Sequence, residues 1–259
     1  MSNNSFSLGG IDYGARYISI VQPFSVPVLT DHDVKIKSIV GRRGAYNFGA
    51  TAGERKLSLP CRIAAPDSAT FYANALLCAR DLSPLLGEQI LTLDCVTGKY
   101  LMAMVEKGFT WPKLGNMARF TLPFVCADPY WFSATQTISD KAITSTPQQI
   151  TETPGGTADS EPVWEIIPTT TIASGTDIII QNFTSNQKMT WRAPSDITSA
   201  DVVRIDSANY CVYINGVRSI ATIQPASGWP LLVGGVTNVI RVTGMALGTL
   251  RITYRERWQ

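Results

Sequence analysis

The chain has 259 residues, 45% of them apolar and 16% charged, with a net charge of +2. The length suggests about two domains, and the small net charge leaves no basic footprint for stable nucleic-acid binding. No run of about 18 apolar residues is present to cross a membrane as a helix, and Met1–Gly10 lacks the positive start and apolar core of a signal peptide. The charged share lies below the roughly 25% of ordinary soluble domains, so other subunits are expected to cover part of the surface. The 5 cysteines are odd in number and contain no CxxC pair. Free thiols in a reducing cytoplasm fit them best.

Val34–Val40 alternates and predicts a strand. Gly41–Gly49 reads as a glycine-punctuated loop carrying Arg42, Arg43, Tyr46 and Phe48. It is either a long hairpin loop or an arm reaching a neighbouring subunit, with arginines and aromatics of the kind enriched at such contacts. Arg55–Ile63 alternates again, and Pro60 marks it as an edge strand or a bulge. Pro66-Asp67-Ser68 offers a helix cap. Ala69, Tyr72, Ala73, Leu76, Leu77 and Ala79 then form a helical stripe up to about Leu82, where Pro84 prevents continuation. Such a short helix is marginal alone in water and must pack on a sheet.

Ile90–Asp94 and Tyr100–Glu106 predict a hairpin around Val96-Thr97-Gly98-Lys99. The second arm is apolar at nearly every position, as in a strand covered on both faces. In Ala118–Ser133, Phe120, Leu122, Phe124 and Cys126 recur at period two until Asp128-Pro129 stops the strand. Tyr130, Trp131 and Phe132 follow, then a polar stretch to about Ser160. The first domain is expected at 1–135, an α+β sandwich with one helix. Residues 136–160 are a linker or the first strand of a second domain, which spans 161–259.

That second half shows no helical pattern. Its candidate strands are Val163–Ile167, Asp177–Phe183, Lys188–Arg192, Val202–Asp206, Tyr210–Asn215, Leu231–Val233, Asn238–Thr243 and Thr249–Trp258. Asn215-Gly216 is the strongest hairpin signal among them. Short strands with regular turns predict a β-sandwich of jelly-roll type, so the protein is read as mainly β.

Chemistry is thin. The single histidine, His32, stands in Thr30-Asp31-His32-Asp33 and reads as a solvated turn residue. No GxSxG elbow, metal-ligand cluster or P-loop is present. The scattered carboxylates sit at loop ends and strand starts, where capping and solvation explain them. No catalytic, cofactor-binding or metal-binding residue is assigned, and the protein is not expected to be an enzyme. Trp229, at a loop end before Pro230, is the one candidate for stacking on a sugar.

In order, Ile39-Val40-Gly41-Arg42-Arg43-Gly44-Ala45-Tyr46, the helix, Leu93-Asp94 with Gly98-Lys99-Tyr100, and ARFTLPFVCADPYWFS make up the first half. Pro162-Val163-Trp164, Tyr213-Ile214-Asn215-Gly216-Val217, Trp229-Pro230-Leu231 and the terminal YRERW belong to the second. Together they resemble the distal tail proteins of siphoviruses, long-tailed non-contractile phages, over nearly the whole chain. The resemblance implies a tail-tube-like first domain, six copies of which close a ring around a channel. It also implies a galectin-like second domain projecting outward. The implied partners are the chain itself as a homohexamer, the tail tube protein, the tail-tip protein and phage DNA in transit. The implied place is the virion tail tip, after synthesis in the host cytoplasm. Some relatives carry inserted sugar-binding modules, and this chain has no room for one. Arginines lining a sixfold channel would hold passing DNA, so Arg42 and Arg43 are expected to face a neighbouring subunit, together with Tyr46 and Phe48.

Overall fold

The computed structural model describes residues 4–30, 32–41 and 43–259. It divides into two compact units, residues 1–131 with Gln259, and Phe132–Trp258. The first begins with three short strands, β1 (Phe6–Leu8), β2 (Ile11–Asp12) and β3 (Ile18–Ile20). Then come β4 (His32–Ser38), β5 (Ala45–Ala52), β6 (Arg55–Ala64), helix α1 (Ser68–Asp81), β7 (Gln89–Leu93), β8 (Lys99–Val105), β9 (Lys113–Leu114) and β10 (Met117–Cys126). One antiparallel sheet runs β2-β1-β7-β8-β10-β6-β3, and β4 with β5 forms a separate two-stranded ribbon.

The long pairing of β6 with β10 is the spine of this unit. It runs without a slip from Arg55 opposite Cys126 to Ala64 opposite Met117. Period-two alternation sends Leu57, Leu59, Cys61 and Ile63 inward beside Phe120, Leu122 and Phe124, all buried. The sheet curls on itself. Phe6 on β1 stacks on Tyr13 at 4.6 Å and meets Phe124 on β10 edge-on at 6.0 Å. Opposite ends of the strand order also join: Ile20 N–H donates to Asn4 O at 2.7 Å and the Ser5 hydroxyl to Ile18 O at 3.0 Å.

Pro60 does not put β6 at an edge, because β10 flanks one side and β3 the other. Val21 N–H donates to Pro60 O at 2.7 Å, so the missing proline N–H faces that same side, just past the end of β3 at Ile20. In β8, Leu101, Ala103 and Val105 are buried, but Met102 and Met104 are only half-buried. The strand expected to be covered on both faces is fully covered on one.

Helix α1 starts at the expected cap, where Asp67 Oδ1 accepts from Thr70 N–H at 2.8 Å. Its buried face differs from the apolar stripe. Phe71, Asn74, Cys78 and Asp81 point inward, while Tyr72, Leu76 and Leu77 are exposed. Partners supplied by a distant turn make this possible. Asn74 donates to Arg16 O at 3.2 Å, and Asp81 pairs with the Arg16 guanidinium at 2.6 Å. Hydrogen bonds from Arg80 and Arg16 outweigh the effect of desolvation and hold the Asp81 carboxyl at about 2.

The second unit starts with β11 (Trp131–Ser133), β12 (Thr137–Ile143) and β13 (Gln148–Glu152), so the polar stretch after Ser133 carries two full strands. Then follow β14 (Val163–Pro168), β15 (Asp177–Asn182), β16 (Gln187–Arg192), β17 (Val203–Asp206), β18 (Cys211–Ile214), β19 (Val217–Arg218), β20 (Asn238–Thr243), β21 (Gly248–Tyr254) and β22 (Arg257–Trp258). One sheet is ordered β12-β21-β14-β17-β18-β19, the other β13-β20-β15-β16. Their inner faces share one core holding Trp164 and Trp191, both fully buried. Asn215 and Gly216 take positive φ of 49° and 80°, as a two-residue hairpin turn requires. The predicted strand Leu231–Val233 makes only a bridge to Ser160. Side chains hold it instead: Asn182 donates to Leu231 O at 2.6 Å, and Val233 N–H donates to Asn238 Oδ1 at 2.9 Å.

One buried carboxylate ties the two sheets of this unit together. Glu152 on β13 accepts from the Ser139 hydroxyl at 2.8 Å and the Tyr254 hydroxyl at 2.9 Å, and pairs with Lys141 at 2.8 Å. Burial pushes its pKa up, but these three partners prevail and hold it below the ordinary glutamate value of 4.5.

Two predictions test this architecture. Phe124→Ala should cost the first unit about 3–5 kcal/mol in urea unfolding, as expected for a buried phenylalanine; a loss under about 1 kcal/mol would contradict the register of β10. The stability that Glu152 adds is present above the unfolded-state pKa and is lost as pH falls through the lower folded-state value. Glu152→Gln should therefore weaken the second unit by about 2 kcal/mol at pH 7. It should also flatten the acid limb below about pH 4.5, read from tryptophan fluorescence.

Candidate assembly interface

Strand β5 begins inside the expected loop, so Tyr46 and Phe48 lie on a strand. Val34 pairs with Ala50, Ile36 with Asn47 and Lys37 with Tyr46, with a bulge between Val34 and Ile36. Tyr46 and Phe48 sit two apart on one face with rings 6.4 Å apart, while Val34 and Ile36 occupy the other. All four are exposed, Phe48 at 67%. At the tip, Ile39 and Val40 are exposed as well, and Arg43 is exposed. Arg42 lies outside the described residues. His32 opens β4 and donates from Nδ1 to Thr30 O at 2.7 Å, a local turn contact.

The foot of the ribbon is anchored by Arg55, which is 1% exposed. Its Nε donates to Pro129 O at 2.6 Å and its Nη1 to Pro27 O, so one guanidinium joins the segment before the ribbon to the end of β10. Its Nη2 is buried without a partner among the described residues, and burial lowers its pKa.

A second uncovered surface lies along α1. A groove of about 550 Å³ runs between the helix and residues 105–113. Trp111 forms its floor, 5.8 Å from Phe71 and 4.9 Å from Phe120 by ring centres. Lys113 lies 4.3 Å above the Tyr72 ring and donates to its hydroxyl at 3.2 Å. Leu76, 75% exposed, and Leu85 and Leu86 extend the apolar surface. Tyr72 and Leu76 belong to the apolar stripe expected to pack on a sheet, and here they stay exposed.

In the second unit, Trp229 packs partly against the core and meets Tyr210 edge-on at 5.6 Å. Tyr210 is 60% exposed and adopts a φ of 53°. Nearby polar groups are already engaged: Asp206 accepts from Asn209 Nδ2 and from Arg204, each at 3.0 Å.

Residues 155–258 match the family model of the siphovirus-type tail component, C-terminal domain. The matched residues fall within the second unit. The resemblance read from the residues agrees with that match, and the fold of the whole chain has a counterpart among solved structures. The solved SPP1 Dit protein, described as a paradigm of the hub adsorption apparatus in phages infecting Gram-positive hosts, superposes with a TM-score of 0.80. That match covers 99% of each chain at 14% identity. A chain of the phage P2 baseplate in its activated conformation with calcium overlaps at a TM-score of 0.48, with 8% identity over 98% of each chain. No curated protein matches by sequence.

Among the described residues, no helix is long and apolar enough to cross a membrane, and no cluster of three potential metal ligands occurs. All five cysteines are free, and four are buried. Desolvation pushes the Cys61 and Cys126 thiols up to about 12. Only Cys95 is exposed. A thiol-reactive chromogen at pH 8 should therefore titrate one cysteine quickly in the folded protein and five after denaturation; two or more fast thiols would contradict the packing.

Proposed function

We propose that this protein is the homohexameric distal tail ring of a siphovirus, a structural hub without catalytic activity. It would join the tail tube protein to the tail-tip protein at the end of the virion and leave a channel for phage DNA. The observation that carries this reading is the ribbon of β4 and β5. An isolated two-stranded hairpin is marginal in water, and this one exposes apolar side chains on both faces. A neighbouring copy would cover them, with Tyr46 and Phe48 as anchors and Arg43 as the flanking charge; Arg42 belongs to the same proposal from outside the described residues.

A closed ring needs a head-to-tail contact between two unlike surfaces of one chain. The ribbon and the groove along α1 are two such surfaces, and each contact should bury at least about 1,000 Å². Buried, unpaired thiols are compatible with synthesis in a host cytoplasm. A second reading, sugar stacking at Trp229, draws on its exposed neighbour Tyr210. The ring is favoured because Asp206, the carboxylate of that patch, is already occupied by Asn209 and Arg204.

Mass photometry should find six-copy particles in the wild type. Tyr46→Asp with Phe48→Asp should shift them to monomers with unchanged circular dichroism. Wild-type protein that stays monomeric at every concentration would overturn the ring, and a glycan-array signal lost in Trp229→Ala would support the sugar reading instead.

A further inference from the structure

On the outward face of the first sheet, Arg62 of β6 stands directly opposite Arg119 of β10, and Ser19 of β3 stands opposite Arg62 on its other side. Directly opposed side chains on antiparallel strands have Cβ atoms about 4.5–5.5 Å apart, and like charges placed so are destabilising. Among the described neighbours on this face, nothing relieves the repulsion. The positions two residues away on the same face are Pro60 and Ala64 on β6, Met117 and Thr121 on β10, and Tyr17 and Val21 flanking Ser19. None carries a negative charge. Neither guanidinium has a hydrogen bond or ion pair among the described residues.

The other cation on this face of β6 is treated differently. Lys56 is held by Glu54 and Glu106, each at 3.0 Å. Two arginines of the second unit also have carboxylates: Arg192 has Asp177 at 2.7 Å and Arg251 has Asp140 at 2.8 Å. The Arg62–Arg119 pair is instead uncompensated positive charge on paired strands.

Both arginines open into a cavity of about 220 Å³ whose other lining residues are Ser19, Ile20, Val21 and Gln22. The volume is below the roughly 300–1,000 Å³ of drug-sized ligand sites, so the space suits a small group. Its donors are two guanidinium forks, one hydroxyl and one amide. A carboxylate has two oxygens and is satisfied by one fork. A phosphate group offers three or four acceptor oxygens and can engage both. With a net charge of only +2, the protein has no extended basic track for a long polyanion.

We propose that Arg62 and Arg119, with Ser19 and Gln22, form a binding site for one phosphate group. The group is either free, as inorganic phosphate or a phosphomonoester, or part of a nucleic-acid backbone.

Thermal unfolding in inorganic phosphate, against chloride at matched ionic strength, tests the site in the full-length protein. The wild type should show a saturable rise in Tm of about 4 °C at a tenfold excess over Kd. Arg119→Gln should do two opposite things: raise Tm without phosphate, by removing the repulsion, and abolish the phosphate shift. Arg62→Gln repeats the test from the neighbouring strand. A short DNA duplex that displaces phosphate identifies the backbone as the source, and one that does not identifies free phosphate groups. No saturable shift over chloride, or an equal shift in both variants, overturns the site.

Discussion

A two-stranded ribbon cannot bury its own side chains. Each face of β4 and β5 carries apolar groups, Val34 and Ile36 on one and Tyr46 and Phe48 on the other, and no third strand or helix of the described chain is paired to it. In a solitary molecule that surface would face water at a cost of about 25 cal/mol for every square ångström. The same condition recurs around the first unit. Tyr72, Leu76 and Leu77 of α1 point outward, and Met102 and Met104 of β8 are only partly covered. Arg55 shows how the ribbon is kept in place despite this, since its buried guanidinium pins the chain at the ribbon's foot to two backbone carbonyls.

The second unit solves its burial problem internally. Two sheets enclose a continuous core, and the largest polar groups trapped in it have partners. Trp164 donates to the Ser207 hydroxyl at 3.2 Å and Trp191 to Ser219 O at 3.1 Å. Glu152 is shared among a lysine, a serine and a tyrosine. Such satisfied networks rigidify a core, whereas a half-satisfied one would weaken it. The contrast between the units is one of burial: the first leaves apolar side chains of its ribbon and helix uncovered, while the second encloses its core between two sheets.

Charge placement follows the same division. In the second unit Arg251 faces Asp140 across β12 and β21. In the first, two arginines face each other across β6 and β10. A sheet built only for stability would not place like charges there, so the face they share is better understood through what it meets than through what it stabilises.

Local pattern was enough for the parts of this protein whose neighbours are close in sequence. The alternation of Arg55–Ile63 and of Ala118–Cys126, the Asp67 cap and the Asn215-Gly216 turn depend on spacings of a few residues, and each appears where the residues place it. The family resemblance was legible for the same reason, because it rests on short motifs in a fixed order. What lay beyond reach were choices made by distant partners. Alternation in Thr137–Ile143 is masked by polar composition, and pairing with β21, more than a hundred residues later, makes it a strand. The face α1 buries was decided by Arg16, which satisfies Asn74 and Asp81 and so lets a polar stripe turn inward while the leucines turn out. Hydrophobicity ranks side chains one at a time; only the folded chain shows which polar atom has found its partner and which apolar surface is left for another molecule.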